Sequence, residues 1–75
     1  NLRKVLIQMK YIPGTKFINN TFKHTKYFKK GQLFTLKNIR VKEGKLEYTF
    51  DFNGEDKSIK FSSSEEADSV LDTMV

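Results

Sequence analysis

A chain of 75 residues has room for one domain, and with no cysteine it lacks any disulfide or thiolate metal site to hold it together. Stability must come from one apolar layer, for which seven phenylalanines and three tyrosines supply the bulk. The formal charge of +5 is unevenly placed: residues 1–42 carry eleven basic residues and no acid, and residues 43–75 carry three lysines against nine acids, which leaves +11 and −6. Asymmetry of this kind suits a polyanionic partner for the basic part, unless the two parts neutralise each other across the fold.

The longest apolar run, Val5-Leu6-Ile7, is far below the roughly 20 residues that span a bilayer. The N-terminal stretch has charges but no signal-peptide core, so a cytoplasmic location is expected. The first residue, Asn1, is not an initiator Met, as expected of a domain taken from a longer chain.

In chain order, residues 4–12 alternate, with Val5, Ile7, Met9 and Tyr11 on one side, which predicts a first half-buried strand. Pro13-Gly14 marks a turn, and a short strand is predicted over 15–18. Asn19-Asn20 suits a tight turn, because asparagine tolerates left-handed backbone. With Thr21 it also forms a glycosylation sequon, taken as chance without an export signal. Residues 21–28 show no clean apolar face and read as a loop or an edge strand, closed by Lys29-Lys30-Gly31.

A strand is predicted over 33–41, but its apolar side switches: Phe34 and Leu36 lie on one side, Ile39 and Val41 on the other. A bulge near Lys37-Asn38, or a strand bent between two sheets of a small barrel, reconciles them. Glu43-Gly44 reads as a two-residue hairpin loop. Residues 45–52 alternate most cleanly, with Leu46, Tyr48, Phe50 and Phe52 inward and Glu47 and Asp51 on a solvated face. Asn53-Gly54 is a strong hairpin signal, with Glu55-Asp56 able to lengthen the loop, and a strand over 57–61 follows.

A helix over 63–74 closes the chain. Ser62 with Glu65, or Ser63 with Glu66, makes a capping box, and Ala67, Val70, Leu71 and Met74 form one apolar stripe. Glu65, Glu66 and Asp68 suit the positive end of the helix dipole, whereas Asp72 sits badly for it. The expected fold is mainly β: about five strands in a small SH3-like or OB-like barrel, or a curved antiparallel sheet, with one C-terminal α-helix.

Catalytic chemistry has little support. His24 is the only histidine and has no partner cysteine or acid nearby in sequence, so it reads as a surface residue. Glu47 and Asp51 are about 13 Å apart by strand rise, long for paired-carboxylate work. Residues 51–56 lack the ligand spacing of a calcium loop. No cofactor or metal is expected.

The basic segment is more informative. Lys16, Lys23, Lys26, Lys29 and Lys30 interleave with Phe17, Phe22, Tyr27 and Phe28. Ammonium groups for phosphates and aromatic faces for bases are what single-strand binders combine. The same aromatics could equally serve the core. The expected nucleic-acid-binding residues are Lys16, Lys23, Lys26, Tyr27, Lys29, Lys30, Lys37 and Arg40. With only two arginines, backbone contact to DNA or RNA is expected over base-edge readout. The rival expectation is a protein–protein interaction or inhibitor module meeting an acidic protein surface. It would suit a phage or other mobile element, since the richness in Lys, Asn, Ile and Phe is what an AT-rich genome encodes.

The meander and helix, Phe34–Met74, with Ser63-Ser64-Glu65-Glu66-Ala67 at the helix start, are similar to the three-strand-plus-helix arm-binding domains of tyrosine integrases. The likeness covers about half of the chain. That family sets its outward sheet face against DNA. Here that face carries Glu47 and Asp51, so no site residue is carried over.

Overall fold

The computed structural model describes residues 10–74. Its elements are β1 (Lys16–Ile18), β2 (Leu33–Lys42), β3 (Lys45–Phe52), β4 (Glu55–Phe61), α1 (Ser64–Leu71) and a closing 3-10 turn (Asp72–Met74). The strands form one antiparallel sheet in the order β1-β2-β3-β4.

Both hairpins are set by two-residue loops. Glu43-Gly44 joins the pair Lys42–Lys45, and Asn53-Gly54 joins Phe52–Glu55. In each loop both residues have positive φ (54° and 75°, then 57° and 95°), the type I′ geometry whose twist matches that of the strands. The Asp51 carboxylate accepts the Gly54 N–H at 2.7 Å and so tightens the second turn. Glu55-Asp56 therefore belongs to β4 and does not lengthen the loop.

The switch of apolar side along β2 has a simple cause. Leu36 faces Phe50 and Asn38 faces Thr49, so Lys37 is one extra residue in β2, a β-bulge. The bulge returns Ile39 to the inner face with Phe34 and Leu36, and all three are buried. Val41, near the strand end, stays exposed.

Of the two expected forms, the antiparallel sheet with one C-terminal helix is seen, and barrel closure is not seen among the described residues. Among the described residues there are four strands, and β1 and β4 are the two edges of an open sheet. The predicted strand over 4–12 falls largely on residues 4–9, outside the described residues; its described end, residues 10–12, is irregular. The apolar face is covered by other means. Ala67, Leu71 and Met74 of the helical segment are fully buried, and Val70 is partly buried against the same core.

The helix start resolves to the second capping box. The Ser63 hydroxyl accepts the Glu66 N–H at 3.2 Å, and the Glu66 carboxylate accepts the Ser62 N–H at 2.8 Å. Asp72, which opposes the dipole at the helix end, is met by one cation and one hydroxyl donor. Lys10 Nζ lies 2.7 Å away and the Tyr11 hydroxyl donates to the same carboxylate, which together hold it below the usual carboxylate range. The Tyr11 ring also packs edge-on against Phe17, so the described start of the chain clamps the helix end to β1.

Glu47 departs from its expected solvated setting. It is buried on the central strand, between Arg40 of β2 and Lys60 of β4 in register, and its carboxylate takes a hydrogen bond from the Arg40 guanidinium. Long basic side chains on both neighbouring strands cover it. That bond, with Lys42 and Lys60 adding to it, holds the Glu47 carboxyl below its ordinary value. Asp51 keeps a partly exposed position.

Candidate functional site

The basic segment forms the connection between β1 and β2, residues 19–32. It contains no regular helix or strand, yet it is braced at two points. The first is Asn19, whose side chain is fully buried. Its amide donates to the carbonyls of Phe28 at 2.7 Å and Lys23 at 3.2 Å. Its oxygen accepts the Thr21 N–H and the Thr21 hydroxyl, at 3.2 and 3.0 Å. Its backbone carbonyl accepts the Gly31 N–H, and its own N–H reaches the Gln32 carbonyl. One residue thus ties the entry, middle and exit of the loop. Its amide is fully engaged and enclosed, which leaves no place for a glycan at the sequon.

The second brace is Phe28. Its ring is fully buried, stacked on Phe34 with centroids 4.6 Å apart and edge-on to Phe50 at 5.4 Å. The turn before it is set by His24, an exposed residue with φ of 58°, whose carbonyl accepts the N–H groups of Tyr27 and Phe28. That turn sends Phe28 into the core while Tyr27 stays 47% exposed.

Most of the remaining loop side chains face solvent. Lys23, Lys26, Lys29 and Lys30 are all exposed, as is Lys16 at the start of β1. None of these five forms an ion pair among the described residues. Lys37 and Arg40, also expected in the site, differ. Lys37 Nζ sits 2.9 Å from Asp56, and Arg40 is paired with Glu47. Acids of residues 43–75 therefore engage two of the three β2 cations, and among the described residues the loop lysines have no acid partner. Neutralisation across the fold, one of the two expectations for the charge asymmetry, is thus seen at Lys37 and Arg40.

The aromatics divide in the same way. Phe17 and Phe28 are buried in the core and offer no ring to a ligand. Phe22 is 79% exposed, and Lys30 Nζ stands 4.2 Å from its ring centroid. Lys26 Nζ stands 5.5 Å from the Tyr27 ring. Beside the loop exit an open groove of about 640 Å³ is lined by Lys16, Gly31, Gln32, Leu33, Asp51 and Asn53, among others, and joins Lys16 to the end of the loop.

Two residues matter that the sequence reading left out of the site. Asn19 carried a readable signal, because an Asn followed two positions later by Thr is a frequent side-chain-capped turn. Phe22 carried none, since nothing in the local pattern separates it from Phe17 or Phe28. Among the described residues no group of three or more His, Asp or Glu side chains is placed to hold a metal ion, and no helix is long and apolar enough to cross a membrane.

Compared with protein-family models, characterised proteins and solved structures, the chain matches none. The likeness to integrase arm-binding domains thus gains no support from these comparisons, and function is read from the geometry of the loop.

Proposed function

We propose that this domain is a non-enzymatic nucleic-acid-binding module that grips the phosphate backbone with the loop between β1 and β2. Lys23, Lys26, Lys29 and Lys30 carry the contact and Lys16 extends it along β1. The observation that supports this most is the division of charge. Lys37 and Arg40 are matched by acids, whereas the four loop lysines are displayed on a braced segment without an acid partner among the described residues.

Bracing matters energetically. A loop already ordered by Asn19 and Phe28 loses little further entropy on binding, so more of the electrostatic gain appears as affinity. Lysines act as point charges and do not fork onto base edges, so the contact favours backbone over sequence.

The test is a salt titration of binding to DNA and RNA oligonucleotides, read by fluorescence anisotropy. Each neutralised phosphate contributes about −0.7 to −0.9 to the log–log slope, so five lysines set a slope of about −3.5 to −4.5. Replacing Lys26, Lys29 and Lys30 together by Gln should flatten it by about 2–3 with the fold intact. No binding to any DNA or RNA at about 50 mM salt, or binding that ignores salt, refutes the proposal. The lysines would then serve to steer the domain toward an acidic protein surface.

A further inference from the structure

We infer that the loop takes unpaired bases as well as phosphates, with Phe22 and Tyr27 as two stacking platforms, which makes single-stranded nucleic acid the ligand class. This deepens the proposed backbone-binding function and rests on it.

Phe22 is the exception among the phenylalanines. Six of the seven phenylalanines are buried, at 5% exposure or less, and Phe22 is exposed at 79%. A domain with so small a core would gain by burying it, and the fold does not. The surrounding loop is not loosely held, since Asn19 and Phe28 pin it on either side of Phe22. The ring is thus displayed by an ordered segment.

Both exposed rings of the loop have the same local chemistry. Each has a lysine ammonium within cation–π range, Lys30 for Phe22 and Lys26 for Tyr27. These are two of the lysines already assigned to the phosphate backbone. The ammonium stands over one face of each ring, so a base would stack on the other face, with its phosphate within reach of the same lysine on its flexible stem. Ring and cation then act on one nucleotide, the pairing that non-specific single-strand binders use. Duplex bases stack on each other and offer no free face, so this geometry discriminates against a duplex. An acidic peptide would satisfy the lysines but gives no reason for two flat rings beside them.

The experiment uses the whole 75-residue chain. An oligothymidylate of about 12 nucleotides and a duplex of the same length are titrated at low salt by fluorescence anisotropy. The single strand should bind at least about tenfold tighter than the duplex. Phe22→Ala should weaken single-strand binding by about 5- to 150-fold, the range for loss of one stacked base, without changing the salt slope. Tyr27→Ala should act in the same sense, and Phe22→Trp should retain binding. Circular dichroism checks that each variant stays folded. Equal affinity for duplex and single strand, or single-strand affinity that survives both alanine changes, overturns the inference. If the triple lysine-to-Gln variant still flattens the salt slope in that case, backbone binding stands without stacking. Failure of every oligonucleotide to bind removes both.

Discussion

Replacing Phe28 by Ala tests whether the basic loop is part of the core or rests on it. The side chain is fully buried and meets three core rings, Phe34 at 4.6 Å, Phe50 at 5.4 Å and Phe52 at 5.9 Å. Roughly 150–200 Å² of aromatic surface at about 25 cal/mol per Å² gives an upper bound of about 4–5 kcal/mol. Typical costs of Phe→Ala in a core, about 3–5 kcal/mol, agree with this. A domain of 75 residues has about 4–11 kcal/mol of stability in total, so the change removes about a quarter of it at least. At about 4–8 °C per kcal/mol, the midpoint of thermal unfolding should fall by at least 12 °C or so, read by far-ultraviolet circular dichroism. Tyr27→Ala, one position away on the exposed side, should cost under about 1 kcal/mol. If Phe28→Ala loses less than about 1 kcal/mol, or no more than Tyr27→Ala, the loop is not anchored through the core and its rigidity needs another source.

The first brace, Asn19, and a buried tyrosine lead to further expectations. Asn19→Ala strands the Phe28 and Lys23 carbonyls and should cost about 1–3 kcal/mol, with faster amide exchange at Thr21 and Gly31. Asn19→Asp keeps the acceptor but sets a carboxylate against those two carbonyls, so it should be no milder; wild-type stability in this variant would rule out the donor contacts. Burial pushes the Tyr48 phenol up from its ordinary value near 10 to about 12, with the Asp68 carboxylate adding to the shift. The folded state therefore holds this proton longer than the unfolded state, so the contribution is complete below pH 10 and is lost as pH rises toward 12, at about 1.4 kcal/mol per pH unit. Lys10 and Lys37, whose ammonium groups are held up by Asp72 and Asp56, also lose support at alkaline pH, so the informative quantity is the difference from Tyr48→Phe. That difference should grow between pH 10 and 12 in chemical denaturation; parallel stability curves would show that Tyr48 ionises freely.

The structure also clarifies how a chain this small separates stability from recognition. The inward rings of β2 and β3 are covered by Leu71 and Met74 from the helical segment and by Phe28 from the loop. The outer face carries cross-strand pairs, Arg40 with Glu47 and Thr49 with Ser58, which neutralise or satisfy each other. Four lysines without an ion pair among the described residues, Lys23, Lys26, Lys29 and Lys30, lie together in the connection between β1 and β2.

Much of the framework was determined by the sequence itself, because it is set by local rules. Alternation in 45–52 specifies the central strand, and Asn53-Gly54 and Glu43-Gly44 specify their turns through the backbone conformations that glycine permits. The capping serine and the stripe Ala67, Leu71 and Met74 specify the helical segment. Even the bulge at Lys37 was readable, since a change of apolar side within one strand has few solutions. What the tertiary structure alone decided is non-local. An open sheet and a barrel share the same strand pattern, and only pairing between distant edges separates them. Glu47 reads as solvent-facing until two neighbouring strands place Arg40 and Lys60 beside it. Phe22 and Phe28 lie in the same irregular stretch, where no periodicity assigns a face. The turn at His24 and the hydrogen bonds of Asn19 send one ring into the core and leave the other in water.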